Sequence, residues 1–258
     1  MEFVKRIIVN INFNIKDLLR GRIISNSIFS GICLMIFCYI STKFTYGVPS
    51  KIAIDVGAGL LTVSSLVLAL TYGVNLISQE VDTRTIYMVL SRGVSRTEFL
   101  FCKIMSLIIV LMLNIFILSF FSYSTFWLFN GTPQDLIFWS FAFIACESVL
   151  VMMLAVFFAL IVNKTFSILL SITFWIAGHS IDSIINTIFV KDSYWIKTVL
   201  TFYSNYFPNF NRLNLKDYVL YDQNIEPEYL YGGLIYTCLY LIAIFIIMSY
   251  VFKKKNFD

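Results

Sequence analysis

The sequence predicts an all-α membrane protein: six transmembrane helices, an N-terminal interfacial helix, a cytoplasmic helix after the second span, and short outer helices before the last span. Composition points there first. Hydrophobic residues make up 59% of the chain and charged ones 13%, against roughly 45–50% apolar and about 25% charged in an ordinary soluble domain. A water-soluble fold has no way to hide that much apolar surface, and the mean hydropathy of +0.82 agrees. Run length comes second, because a helix must stay apolar for about 20 residues to cross about 30 Å of hydrocarbon, and the sequence meets that demand six times. The placement of basic residues is third. Residues 1–258 therefore read as a single transmembrane domain with no soluble appendage.

Residues 2–20 put Phe3, Ile7, Ile11, Ile15 and Leu18 on one helical stripe, with Lys5, Asn12, Lys16 and Arg20 around the rest of the turn. Such a pattern suits a helix lying in the membrane interface; a solvent-exposed tail is the plainer alternative. Its charges also leave no apolar core for a cleavable signal peptide. The spans fall at about 23–43, 54–78, 99–126, 136–162, 165–189 and 230–252. The uncharged run from 104 to 134 exceeds one crossing, so the third helix ends near Phe126 and Asn130-Gly131-Thr132-Pro133 forms the turn. Only Glu147 interrupts the fourth span, and the fifth stays apolar to His179, with Asp182 marking its approach to the opposite interface.

Orientation follows from lysine and arginine. With the N-terminus in the cytoplasm, inside segments hold Lys5, Arg6, Lys16, Arg20, Arg22, Arg84, Arg92, Arg96, Lys103, Lys164, Lys253, Lys254 and Lys255, thirteen of the nineteen. Both termini are thus expected inside. Segment 79–98 becomes cytoplasmic and segment 182–228 becomes the outer one, where Tyr194, Trp195, Tyr203, Tyr206 and Tyr218 mix with polar residues. Aromatic residues of this kind favour the membrane–water boundary, so one or two short helices are expected there, packed on the outer ends of the spans.

Several chemistries are excluded. The formal charge of +4 gives no sign of nucleic acid, and the five cysteines lie in or beside apolar runs without metal or redox spacing. They read as small buried apolar residues. A single histidine leaves little material for nucleophilic catalysis or a metal site. None of the eleven glycines is followed by lysine, so the phosphate-cradling Gly-Lys-Ser/Thr loop is absent. No catalytic or metal-binding residue is therefore assigned.

The most informative stretch runs from Gln79 to Glu98. Asp82 through Leu90 reads as an amphipathic helix with Ile86, Val89 and Leu90 on one side; Ser91-Arg92-Gly93 stops it, and Ser95 with Glu98 forms a capping box for the next helix. A charged helix between two spans suits the groove of a soluble partner, and an ordinary solvated loop is the alternative. Glu80 through Lys103, with Asp-Thr-Arg-Thr-Ile at 82–86 and Val-Leu-Ser-Arg-Gly-Val-Ser-Arg at 89–96, resembles the segment after the second span in ABC-2-type transporter permeases. Gly93 stands where that family often has proline, which leaves the turn feasible. Phe207-Pro208-Asn209-Phe210-Asn211-Arg212, followed by Leu213 to Asp217, one last span and a basic end, is similar to the tail of the same family. The nearer likeness is to the branch with nitrous oxide reductase maturation and gliding-motility permeases.

The resemblance implies a bacterial cytoplasmic (inner) membrane protein that pairs with a second permease copy or paralogue and two ABC ATP-binding subunits. ATP and Mg would be held by those subunits, with no cofactor on this chain. Glu80, Asp82, Thr83, Arg84, Leu90, Ser91, Arg92 and Arg96 would then form the ATPase-coupling helix.

Polar groups at membrane depth are costly, at least about 2.5–3.5 kcal/mol for a charge at the bilayer centre. Glu147, near mid-depth, is a candidate for the translocation path or a conformational switch, against a structural hydrogen bond between helices. His179 and Asp182 share a helix face and are expected to pair with each other or to form part of a ligand site. Asn114 joins this candidate set, although with Asn75 it equally suits a helix–helix bond. Asp55 is expected to be solvated. The function this adds up to is ATP-coupled export of an amphipathic or lipid-like substrate. Two alternatives stay open: a non-transporting subunit that transmits ATPase work to an extracytoplasmic partner through 182–228, and a secondary transporter or channel.

Overall fold

The computed structural model describes residues 2–21, 23–82, 95–132, 134–185, 187, 194–221 and 225–254. Every regular element among them is a helix. In chain order these are α1 (Glu2–Arg20), α2 (Ile23–Phe44), α3 (Pro49–Asp82), α4 (Arg96–Leu128), α5 (Asp135–Ile161), α6 (Lys164–Ile185), α7 (Tyr194–Tyr206), a 3₁₀ turn (Phe210–Leu213), α8 (Lys216–Leu220) and α9 (Pro227–Lys254). Six of the described helices, α2 to α6 and α9, are long and apolar enough to cross a membrane. The chain is a multi-pass membrane protein.

Helix ends shift from the expected positions for local reasons. With 34 and 33 residues, α3 and α4 are each about 50 Å long at 1.5 Å per residue, well beyond the hydrocarbon core. The third span starts at Arg96 rather than 99 because Ser95 Oγ accepts the backbone N–H of Glu98 at 3.2 Å. That is half of the expected capping box; the carboxylate of Glu98 goes elsewhere. After Leu128 the chain turns where expected, with Asn130 at φ 55° and the Gly131 N–H donating to the Phe126 carbonyl at 3.1 Å. The fifth span is described to Ile185; residues 186 and 188–193 lie outside the described ones.

The bundle is built around α5. In its most apolar stretch 78% of residues are buried, against 17% in α6 and α9, because a helix apolar on all sides is stable only when others surround it. The approach between α3 and α5 is close: a Cβ added to Gly73 would stand 3.0 Å from the Met152 carbonyl and 3.1 Å from Ala155. Small residues bring the two backbones together here, as is usual between membrane helices. The Ser65 and Ser148 hydroxyls meet across the same seam at 2.8 Å. Between α2 and α4, Asn114 Nδ2 donates to Ser27 Oγ, the helix-joining role weighed for it above. Phe29, Phe166, Leu239 and Ile246 point outward and are left for lipid.

Four residues of the expected stripe of α1, Ile7, Ile11, Ile15 and Leu18, are half-buried, while Lys5, Asn12, Lys16 and Arg20 are exposed; the side chain of Phe3 lies outside the described ones. This helix packs on the first turns of α4, where Cys102 Sγ lies 4.0 Å from the Ile7 carbonyl. Across the same end Arg96 donates to the Lys253 carbonyl at 3.1 Å. We call this the basic end of the bundle and the opposite one the far end. The cysteine expectation holds only in part, since Cys38 and Cys102 are buried but Cys238 is exposed.

Candidate functional site

A carboxylate buried between helices is tolerated only when hydrogen-bond donors or cations surround it. Glu147 sits on the central helix α5 with its side chain 6% exposed. Its donors come from the next helix, where Trp175 and His179 stand one turn apart and share a face. Trp175 Nε1 donates to Glu147 Oε1 at 2.6 Å, and His179 Nε2 meets the same oxygen at 2.7 Å. With the carboxylate accepting, Nε2 is the ring nitrogen that carries the proton. The Trp175 and His179 rings lie edge to face at 4.9 Å, and Phe210 stacks on the imidazole at 5.9 Å. Both donors take Oε1, and Oε2 accepts from neither. The carboxylate, Trp175 and His179 line an open cavity of about 240 Å³, bordered on its other sides by Gly59 and Thr62 of α3, Ser140 of α5, and Asn214 and Lys216.

The far side of that cavity is made by a segment that folds back into the bundle. Phe210, Leu213 and Leu215 are buried to 1% exposure or less, so their apolar side chains wedge the connection between α3, α5 and α6. Gly178 makes the room, since a Cβ there would fall on the Phe210 ring and 2.7 Å from the Pro208 carbonyl. Polar ties hold the wedge from three directions. Asp182 of α6 accepts Asn209 Nδ2 on both oxygens at 2.9 Å and Asn211 Nδ2 at 3.2 Å. From α9, the Tyr236 hydroxyl accepts the Asn209 backbone N–H at 2.7 Å, and the Tyr229 hydroxyl donates to the Arg212 carbonyl at 3.0 Å. From α3, Lys51 Nζ donates to the Leu220 carbonyl at 3.1 Å, and Asp55 pairs with Lys216 at 2.9 Å. On α7, burial pushes the Tyr203 phenol up from its ordinary value, and its hydroxyl donates to the Phe174 carbonyl at 3.4 Å.

Two expectations are corrected here. His179 and Asp182 do not pair with each other: the first turns toward Glu147 on α5 and the second toward Asn209, which precedes the 3₁₀ turn. Asp55 is not simply solvated but half-exposed in an ion pair with Lys216. Trp175, Asn209 and Lys216 were missed by sequence reasoning.

At the basic end, Glu98 receives Arg6 Nε at 2.9 Å and a terminal guanidinium nitrogen at 2.8 Å, a two-pronged clamp from α1 to the first turn of α4. Of the coupling residues, Glu80 and Asp82 fall in the last turn of α3, and Arg96 opens α4. Thr83, Arg84, Leu90, Ser91 and Arg92 lie outside the described residues. No group of three or more His, Cys, Asp or Glu side chains among the described residues is disposed to hold a metal ion. In comparison with known proteins, the chain matches no family model and no curated sequence.

Proposed function

We propose that the chain is the membrane-spanning subunit of an ATP-driven transporter of ABC-2 type, exporting an amphipathic or lipid-like substrate. A separate pair of ABC ATP-binding subunits, holding ATP and Mg, docks on segment 79–98, and a second copy or paralogue completes the path. The chain sits in the bacterial cytoplasmic membrane with both termini inside. The observation that carries this reading is the Arg6–Glu98 clamp, which ties the amphipathic α1 to α4 directly after that segment. A push on 79–98 then reaches α1, α3 and α4 together, since the two-pronged guanidinium–carboxylate pair holds α1 to α4. At its other end α3 carries Gly59 and Thr62, which border the Glu147 cavity, and Asp55, which pairs with the cavity-lining Lys216. Tilting one rigid helix moves both sites.

The test is affinity purification of the tagged chain from native membranes. A nucleotide-hydrolysing chain should co-purify, and Arg84→Glu with Arg92→Glu should abolish its capture while leaving membrane insertion intact. Capture without any ATP-binding chain, together with activity in its absence, would return the protein to the secondary transporter or channel class. A second reading, force transmission to an extracytoplasmic partner, is favoured by the ties of the wedge to α3, α6 and α9. It predicts ATP hydrolysis without movement of cargo, and cross-links from residues 194–221 to another protein.

A further inference from the structure

The Glu147 cavity carries a charge that its own lining does not cancel. Of the ionisable groups around it, Lys216 is held by Asp55 at 2.9 Å, and His179 is charged only when protonated. Trp175 brings an N–H and no charge. With the imidazole neutral, one net negative charge remains, on a carboxylate whose side chain is 6% exposed. A carboxylate in so little water is costly unless a cation stands beside it. The place for one is Oε2, which takes neither the indole nor the imidazole. There is also room: about 240 Å³ holds about eight waters of about 30 Å³ each, the bulk of a small alkylamine.

The wall sorts the kinds of cation. A metal ion needs several oxygen ligands and finds one carboxylate among the described residues. The Thr62 hydroxyl donates to the Ala58 carbonyl at 2.8 Å, which leaves its lone pairs to accept an N–H. Val63, Ile144, Leu213 and Leu215 make the rest of the wall apolar. An ammonium with a carbon chain satisfies both parts. Val63 lines the cavity and is 59% exposed on a membrane-spanning helix, so a longer chain can run out at the side of the bundle. We propose that this cavity binds the head of a singly charged primary-amine amphiphile, its ammonium on Glu147 Oε2 and its carbon chain along Val63 and the wedge. That such a molecule is the exported cargo rests on the transporter reading above; its binding does not.

The experiment titrates hexylammonium onto the full chain in phosphatidylcholine nanodiscs at mildly alkaline pH, read by ligand-observed NMR against empty nanodiscs. One saturable site is expected, with affinity about tenfold above that of 1-hexanol, as one hydrogen bond to a charged group allows. Hexyltrimethylammonium, which has the charge but no N–H, should bind more weakly than hexylammonium. Glu147→Gln should bring hexylammonium down to the affinity of the alcohol and leave the alcohol unmoved. Thr62→Phe, which fills the cavity and keeps the carboxylate, should weaken both. Equal affinity for amine and alcohol, a quaternary analogue bound as tightly as the primary one, or unchanged hexylammonium binding in E147Q or T62F would each overturn the proposal. Capture of an ATP-binding chain without hexylammonium binding would sink the site and spare the transporter reading; binding without that capture would do the reverse.

Discussion

Glu98 and Glu147 are two carboxylates enclosed to nearly the same degree, at 5% and 6% exposure, and they are stabilised by opposite means. Glu98 meets both prongs of a guanidinium that is itself 46% exposed, so charge cancels charge beside water. Each of its oxygens is taken. Glu147 meets an indole N–H, which brings no charge, and an imidazole that is charged only when protonated, both on one oxygen. Its second oxygen is left out of that pair, and the carboxylate borders a cavity. The difference teaches that equal burial can go with unequal coordination: the first carboxylate is a finished clip, and the second keeps one oxygen outside its indole and imidazole contacts.

Removing both donors of Glu147 should cause the largest loss. Hydrogen bonds to a charged acceptor contribute about 1.5–3 kcal/mol each, so Trp175→Phe with His179→Phe should destabilise the protein by about 3 kcal/mol in a detergent melt. Adding Glu147→Gln should recover most of that, since an amide tolerates the site without them. An unchanged melt in the double variant would erase the contrast, leaving Glu147 as indifferent to its partners as a surface group.

Arg6→Gln should cost less. Breaking a buried pair typically costs 3–5 kcal/mol, but the half-exposed guanidinium lets water replace part of it, giving about 1–2 kcal/mol. Glu98→Gln in the same background should restore stability, and added salt should weaken the parent's Arg6–Glu98 clamp but not the Glu147 node, because screening acts on pairs that reach solvent. Equal salt sensitivity at both sites would collapse the distinction. Gly178→Ala comes next, at about 1 kcal/mol for overpacking against a backbone carbonyl. Loss of the His179–Phe210 contact would accompany it, read as an altered near-UV signal from the Trp175 neighbourhood.

The sequence reveals these two regions unequally. Span number, order and the 130–133 turn follow from apolar run length and turn chemistry, because hydrocarbon imposes one demand on every helix. The Glu147 node was legible in principle. Glu147 lies 15 residues before Val162, and Trp175 and His179 lie 13 and 17 after it, so a hairpin folded at Val162 brings the three to one depth. Reading Trp175 as one more apolar residue hid its N–H. The partnership of Asp182 with Asn209, and of Asp55 with Lys216, was not legible, because a polar outer segment gives no periodic signal that it re-enters the bundle. The Arg6–Glu98 clamp was obscured differently: the Ser95–Glu98 spacing assigned the carboxylate to a local cap, and a cation 92 positions away outbid the backbone.

The smallest effect on stability should come from the ion pair beside the Glu147 cavity, which Lys216 lines. Asp55 and Lys216 are 39% and 40% exposed, and pairs so open to solvent contribute only about 0.2–1 kcal/mol. Asp55→Asn should therefore leave the melt within about 0.5 kcal/mol of the parent. Access is another matter, because the pair ties α3 to the wedge at the mouth of the cavity that Thr62 lines. With the native cysteines replaced and Thr62→Cys as reporter, maleimide labelling should be several-fold faster when Asp55 is Asn. A rate that does not change would mean that the wedge is fixed by Lys51, Asp182, Tyr229 and Tyr236 without the ion pair. Access to the Glu147 cavity would then owe nothing to the ion pair, and the two carboxylates would differ in their donors alone.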